Sequence, residues 1–277
     1  MDQVQLFFVP TPIGHLKDIT LRALEVLELV DCIYCEDTRH SQRLLEEYDI
    51  HKPLISYHEH NEKARLDEII DRIVHGEKIA VISDAGMPAI SDPGKLLIQR
   101  VIEEKIPFTV LPGPSAGIVA LVASSFGDGS YLFLGFLPRK GRARQELLER
   151  IDELDIPAVI YEAPHRIVKS LEEFAKRWPE RRFSFAREIS KAYEEFAWFY
   201  GRDLSSMEIK EKGEYVVIID GKVEEASWDK SKVIRLLEEL TSNGLYSKEI
   251  IQKAHELTGW SKNDLYSLQL SLKEDSI

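Results

Sequence analysis

What this chain has little of narrows its chemistry first. Cysteine occurs only twice in 277 residues, at Cys32 and Cys35. The pair sits in Asp31-Cys32-Ile33-Tyr34-Cys35, a β-rich run, and residues three apart on a strand face opposite sides. Such a pair neither shares a metal ion nor closes a disulfide easily, so both read as core residues. No metal is expected elsewhere either. His58 and His60 resemble a ligand pair, but a helical H-E-x-x-H needs a spacing of four and no third ligand accompanies them. No apolar run approaches the roughly 20 residues that cross a bilayer, and Met1-Asp2-Gln3-Val4 has no basic lead into an apolar core. The expectation is a cytoplasmic chain with no membrane partner. Positive charge is short too: 36 Lys and Arg stand against 48 Asp and Glu, a net charge of -12. That balance excludes a protein that coats nucleic acid indiscriminately, though not a local basic patch. Finally, no G-x-G-x-x-G follows the first strand, which argues against the usual dinucleotide-binding turn.

What is present is an ordinary globular composition, 44% hydrophobic and 30% charged, on a chain longer than the usual single domain. One stretch organises the rest. Lys78-Ile79-Ala80-Val81-Ile82 reads as a buried strand and runs into Ser83-Asp84-Ala85-Gly86-Met87-Pro88-Ala89-Ile90-Ser91-Asp92-Pro93-Gly94. Two glycines and two prolines fix this loop's path, while Ser83, Asp84, Ser91 and Asp92 offer polar atoms along it. A loop at the carboxyl end of a buried strand is where open α/β sheets hold ligands. Asp92-Pro93 is predicted to start the next helix, with the Asp92 carboxylate as N-cap.

Comparable units recur in order. Gln5 to Val9 is a first strand, followed by the proline-stiffened Pro10-Thr11-Pro12-Ile13-Gly14 and a helix over about 19–29, apolar at Leu21, Leu24, Leu27 and Leu29. The strand Cys32 to Cys35 ends in Glu36-Asp37-Thr38-Arg39-His40, which fits a helix start capped by Asp37 or Thr38 and fits a pocket wall equally well. Pro53 to Tyr57 is a third strand, 62–74 a helix, and Phe108 to Leu111 another strand, leading into Pro112-Gly113-Pro114-Ser115-Ala116-Gly117 and a helix. This alternation implies a mainly parallel sheet with helices on both faces, over 1–126. Gly127 to Ser130 reads as a linker. Strands at about 131–136, 158–161, 183–187, 195–200 and 214–219 make 127–222 a second, less regular α/β domain, partly antiparallel. Residues 223–277 read as a helical tail resembling a helix-turn-helix, with breaks at Asn243-Gly244 and Gly259. Arg139-Lys140-Gly141-Arg142-Ala143-Arg144 is a basic patch in a chain otherwise acidic.

Taken together, seven loops carry a likeness. Val9-Pro10-Thr11-Pro12-Ile13-Gly14, Glu36-Asp37-Thr38-Arg39, Ser83-Asp84-Ala85-Gly86-Met87-Pro88, Pro112-Gly113-Pro114-Ser115, Tyr161-Glu162-Ala163-Pro164-His165-Arg166, Ala186-Arg187-Glu188 and Lys212-Gly213-Glu214 stand in the order seen in the small-subunit ribosomal RNA cytidine 2'-O-methyltransferases. The chain thus resembles that family of the tetrapyrrole methylase superfamily over about residues 5–221. The resemblance implies two α/β domains with S-adenosylmethionine in the cleft between them, a homodimer, and methyl transfer to a ribose 2'-hydroxyl of a cytidine in small-subunit ribosomal RNA. It implies cofactor contacts at Pro12, Ser83, Asp84, Ala85, Pro88, Pro114, Ser115, Ala116, Tyr161, Glu162, Ala186, Arg187, Gly213 and Glu214. The Glu36 to Arg39 cluster and the His58 to Asn61 stretch would face the acceptor.

Methyl transfer from a sulfonium to oxygen needs neither metal nor covalent intermediate. It gains from a base that takes the hydroxyl proton, and Asp37, Glu36, His60 and Glu188 are candidates, with Asp37 favoured. Arg39 then suits a phosphate. His60, Asn61, Arg139, Lys140, Arg142 and Arg144 are the expected RNA contacts. Two rivals stand beside this reading: a tetrapyrrole C-methyltransferase on the same fold, and an assembly factor with an inert cleft.

Overall fold

The computed structural model describes residues 4–222, 230–242 and 245–274. The first-half apolar runs become β1 (Leu6–Val9), β2 (Cys32–Cys35), β3 (Leu54–Ser56), β4 (Ile79–Ile82) and β5 (Phe108–Val110). They pair in the order β3-β2-β4-β1-β5, and every pairing is parallel. Strands covered on both faces need apolar residues at every position, and β1, β2 and β4 are buried throughout. Phe7, Val9, Ile33, Cys35, Ala80 and Ile82 face a core closed by α1 (Leu21–Leu29) and α2 (Thr38–Glu47). Leu6, Phe8, Cys32, Tyr34, Ile79 and Val81 face α3 (Glu62–Val74) and α4 (Lys95–Glu103). Cys32 and Cys35 therefore lie in different cores as free thiols, as the period of a strand requires. In α1 the buried residues are Ala23, Val26 and Leu27; Leu21 and Leu29, expected in the apolar stripe, face solvent.

The second sheet has the order β6-β7-β10-β8-β9, built from β6 (Leu132–Phe136), β7 (Ala158–Glu162), β8 (Arg182–Arg187), β9 (Glu195–Tyr200) and β10 (Tyr215–Ile219). Only β6 and β7 are parallel; the other pairings are antiparallel. One face packs on α6 (Arg142–Asp152) and α7 (Ile167–Arg177) through Leu148, Ile151, Ile160, Leu171, Phe174 and Phe185. The other face is covered by α5 (Ala116–Ser124), whose Ala120 packs with Val159, Ala186, Val216 and Ile218. The last helix of the first half thus belongs, by packing, to the second sheet. Trp198 Nε1 in β9 donates to the Ala123 carbonyl at 3.2 Å, a further tie.

The contact pattern divides the chain into a unit ending at Lys222, which holds both sheets, and a second unit beyond it. The second unit contains α8 (Lys230–Ser242), α9 (Ser247–Thr258) and α10 (Lys262–Glu274), packed on Val233, Leu237, Ile250, Ala254 and Leu265. Glu249 accepts from the Tyr246 N–H at the start of α9, and Gly259, at φ 68, ends it where a break was expected. The expected break at Asn243-Gly244, the first residues of the tail and the Met1 to Gln3 start lie outside the described residues. No helix among the described residues is long and apolar enough to cross a membrane.

The helix after the organising loop begins later than the Asp92-Pro93 pair suggests. Its N-cap is Gly94, at φ 131, and α4 starts at Lys95. The nonlocal reason is Glu62 on α3, whose Oε1 accepts from the Gly94 N–H at 2.8 Å and from the Tyr57 hydroxyl at 2.9 Å. Glu62 draws the chain past Asp92, and the Asp92 carboxylate is left free of capping.

The strand-end loops of the first sheet meet at close range. Thr11 and Gly86 form an isolated antiparallel bridge, each N–H donating to the other's carbonyl at 3.0 Å. A Cβ on Gly113 would stand 2.6 Å from Pro10 Cβ, closer than real carbons approach. Gly113→Ala is expected to destabilise the protein by about 1–3 kcal/mol through overpacking, read as a lower urea midpoint at unchanged slope.

Candidate active site

The loops after β1, β2, β4 and β5 leave the carboxyl edge of the parallel sheet, where open α/β sheets hold ligands. Opposite them stand the loop after β7, the β8–β9 connection and the start of β10. Between them is a cavity of about 450 Å³. Its walls include Ile13, Met87, Ile90, Phe136, Tyr161 and Val216 as apolar surface, and Glu36, Asp84, Asp92, Glu162 and Glu214 as carboxylates. Two joints hold the two sides together. Ser190 Oγ donates to Asp18 at 2.7 Å, and a Cβ on Gly14 would lie 2.6 Å from the Ile189 carbonyl. Strain collects at this rim: Ala89, Glu188 and Ser190 all hold positive φ without being glycine.

Of the residues expected to touch a cofactor, Asp84, Ala85, Ser115, Ala116, Tyr161, Glu162 and Glu214 line this cavity. The remainder stand behind it. Ser83 is buried and donates to the Gly86 carbonyl at 2.9 Å, while Thr11 Oγ1 donates to the Ser83 carbonyl at 3.0 Å. Pro12 and Pro88 are buried supports, and the Pro114 carbonyl lies 3.5 Å from where a Cβ on Gly86 would be. Ala186 is in the apolar core, and Arg187 is spent on Glu195 at 2.9 Å. Gly213, at φ 87, has no room for a Cβ because Glu188 Cγ would lie 2.5 Å from it.

The acidic cluster after β2 divides between neighbours. Glu36 lines the cavity, whereas Asp37 does not; it caps α2, accepting the Arg39 N–H at 2.8 Å, and pairs with the Arg39 guanidinium at 3.2 Å. The bond to Arg39 holds the Asp37 carboxyl below its ordinary range, which weakens it as a base. Arg39 itself is 88% exposed. Glu188 is likewise a poor acceptor. Burial raises its proton affinity, but Lys191 and the Glu214 N–H outweigh that and bring it below the usual value. His60 is exposed, its ring 5.9 Å from that of His58, and the Asn61 side chain is committed to the His58 N–H and the Ser56 carbonyl.

Within the basic run, Arg139, Lys140 and Arg142 are exposed on the segment that follows Phe136. Arg144 corrects the expectation of a four-residue patch. Only 8% exposed, it gives its guanidinium to Glu173 at 2.6 Å, the Pro138 carbonyl at 3.0 Å and Ser170. Ser170 in turn donates to Glu162 at 2.6 Å, so Arg144 braces the cavity wall from behind.

The residue that sequence reasoning placed elsewhere is Asp92. Burial, then Glu36 and Asp84, push its carboxyl up to about 6. Glu36 is raised by its own burial and by Asp84, with His58 pulling the other way. Among the described residues no Lys or Arg lines the cavity. Glu162 is met by Arg166 and Glu214 by Lys191, but among the described residues neither Glu36 nor Asp92 has a hydrogen bond or ion pair. Asp84 accepts the Asp37 N–H at 3.2 Å and no other bond among the described residues. Such a cavity, partly apolar and with Glu36, Asp84 and Asp92 lacking a cationic partner, suits a ligand that is both aromatic and cationic. The described residues contain no group of three or more His, Cys, Asp or Glu placed to hold a metal.

Residues 5–198 match the family described as tetrapyrrole (corrin/porphyrin) methylases. The chain belongs to that family. Among its relatives, the ribosomal RNA small subunit methyltransferase I of Haemophilus influenzae is 40% identical over 96% of each chain. That of Halalkalibacterium halodurans is 37% identical over 96% of this chain and 95% of its own. The Thermotoga maritima relative is 41% identical over 79% of this chain and 99% of its own, so about a fifth of this chain has no counterpart there. Solved structures agree in fold: diphthine synthase, with TM-score 0.59 and 13% identity, covers 79% of this chain and 90% of its own. A uroporphyrin-III-C-methyltransferase from Thermus thermophilus gives 0.55 and 19% over 85% and 97%. This tetrapyrrole methylase is an S-adenosylmethionine-dependent methyltransferase. The cavity fits that donor, since apolar walls suit an adenine and unneutralised carboxylates suit a sulfonium.

Asp84→Arg is expected to abolish S-adenosylmethionine binding in calorimetry, because a tethered cation would take the carboxylates the donor needs. Wild-type affinity in that variant would show the donor to sit elsewhere. Asp92 supplies a second expectation. An acid whose folded pKa is raised favours folding at low pH, and the contribution is lost as pH rises through about 6. Asp92→Asn should therefore raise Tm at about pH 8, with the difference vanishing below about pH 4.

Proposed function

We propose that this protein transfers the methyl group of S-adenosylmethionine to the ribose 2'-hydroxyl of a cytidine in small-subunit ribosomal RNA, acting as a cytoplasmic homodimer. The observation that carries the reading is similarity at 37–41% identity to relatives named ribosomal RNA small subunit methyltransferase I, two of them matched along almost the whole chain. The exposed Arg139, Lys140 and Arg142 support it, since they follow a cavity-lining residue, Phe136, and structured RNA offers phosphates there. Exposed Ile118, Val119 and Val122 on α5, beside Trp198 on β9, give an apolar face suited to a second copy.

The chain's own part is positioning. Asp84, Ala85, Ser115, Ala116, Tyr161, Glu162 and Glu214 are the residues to hold the donor, which supplies an electrophilic methyl on a sulfonium. The bonded loops around Thr11 and Gly86 keep that wall rigid, and alignment of reactants can contribute about 7–11 kcal/mol. The Ser170 and Arg166 contacts hold Glu162 in one orientation at the cavity wall.

The test offers purified protein and labelled S-adenosylmethionine to small ribosomal subunits and, separately, to a tetrapyrrole macrocycle. Label should enter the subunit RNA as a single 2'-O-methylcytidine. Label in the macrocycle alone, or in neither, overturns the reading.

A further inference from the structure

Methyl transfer to a hydroxyl liberates a proton that must go somewhere, and of the four candidates chosen from the sequence all but Glu36 stand outside the cavity wall. Asp37 caps α2 and is tied to Arg39, Glu188 is tied to Lys191, and His60 is outside the cavity wall. Asp92 has the opposite situation. It lines the cavity, it is half-buried, and no hydrogen bond or ion pair among the described residues engages its carboxylate. The groups that face it are Glu36 from the loop after β2, Asp84 from its own loop and Tyr161 from β7 across the cleft. Glu36 is faced in turn by Asp84, His58, Asp37 and Glu59. None of Asp92's neighbours is a cation that would hold it ionised.

Resting on the methyltransferase reading, we propose that Asp92 is the catalytic residue that accepts the 2'-hydroxyl proton during transfer. In the step, a bond forms between the ribose O2' and the methyl carbon. The sulfur–methyl bond breaks with its electron pair staying on sulfur, and the O2' proton passes to an Asp92 oxygen. Before transfer the cavity holds a sulfonium and a carboxylate; afterwards it holds a neutral thioether and a neutral acid. The net charge between the two sheets is unchanged, so the step needs no counterion and no exit for the proton. Burial and the two carboxylates raise the proton affinity of Asp92; a bound sulfonium holds it down, and it rises again as the positive charge leaves sulfur during transfer, when the proton is to be accepted. Before the donor binds, the same forces keep a fraction of Asp92 protonated, and an entering cation must drive that proton off.

Two readouts test this. The first is calorimetry of the whole protein in buffers of different ionisation enthalpy. Binding of S-adenosylmethionine near pH 6 should release about half a proton, whereas binding of S-adenosylhomocysteine, which lacks the sulfonium charge, should release far less. Asp92→Asn should lose the difference while still binding the donor. The second is single-turnover methylation of small subunits. Asp92→Asn should be slower by about 100-fold or more, and the acid limb of its pH–rate profile should disappear. Should the variant not fold, the Asp92 carboxyl carbon can be followed by NMR in the wild type, titrating near 6 in the free protein and clearly lower with the donor bound. Donor binding and methylation that are the same in wild type and variant overturn this assignment alone, as does an Asp92 that does not respond to the donor. No binding of the donor at all overturns the methyltransferase reading, and this assignment with it.

Discussion

The structure depends on a small bonded joint between two loops that are far apart in sequence. Thr11 and Gly86 exchange backbone hydrogen bonds, Thr11 Oγ1 reaches the Ser83 carbonyl, and Ser83 Oγ closes on Gly86. These four hydrogen bonds among three residues extend bonding beyond the ends of β1 and β4. Ordering a loop costs about 1–2 kcal/mol per residue in backbone entropy, so a site built on loops needs that cost met before ligand arrives. The joint meets it with two main-chain bonds, which are insensitive to side-chain identity, and two from the Thr11 and Ser83 hydroxyls, which are not. Asp84 and Ala85 project from the bonded segment, and Ile13 follows Thr11 by two residues.

Acidity without compensation is the second constraint. Elsewhere in the first unit several buried or partly buried charges are paired, Arg144 with Glu173, Arg177 with Asp152, Arg187 with Glu195, Arg182 with Asp220, and buried Arg181 and Glu62 are held by hydrogen bonds. The cavity departs from that habit, and uncompensated carboxylates in a partly desolvated site cost stability that a cation can return. A neutral thioether would return less, which gives the site a physical preference for donor over spent donor.

The strands were legible because a parallel strand covered on both faces is apolar at every position whatever its partners, and β2 and β9 have the bounds expected from sequence. Helix α3 has the bounds expected from sequence, 62–74. The site was legible to the level of loops, and then three local rules met nonlocal facts. Asp92-Pro93 looks like a helix start, but a bond from Glu62, thirty residues earlier, moves the start to Gly94 and turns Asp92 to the cavity. Glu36 and Asp37 are adjacent, and successive residues at the end of an extended strand point to opposite sides, so spacing alone could not say which one faces ligand. The run from Arg139 to Arg144 looks uniform in sequence, yet Arg144 lies on the inward side of α6 and its charge is used to brace Glu162.

The division between the halves shows the same contest between chain order and packing. A boundary at residue 126 follows the sequence, since α5 ends the first series of strand, loop and helix. Yet α5 covers the second sheet, and a Cβ on its Gly117 would lie 3.4 Å from Phe133, Val159 and the Tyr161 hydroxyl. Ser115 and Ala116, which begin α5, are therefore fixed to the same body as Tyr161 and Val216, although their loop departs from the first sheet. The loop from Pro112 to Pro114 thus spans the cleft, with Gly113 against Pro10 on one side and α5 on the other sheet. Any widening of the cavity would have to stretch that loop, and two prolines leave it little backbone freedom to do so. The width of the cleft is in this way set by covalent connection as well as by packing, which is what a reaction dependent on alignment requires.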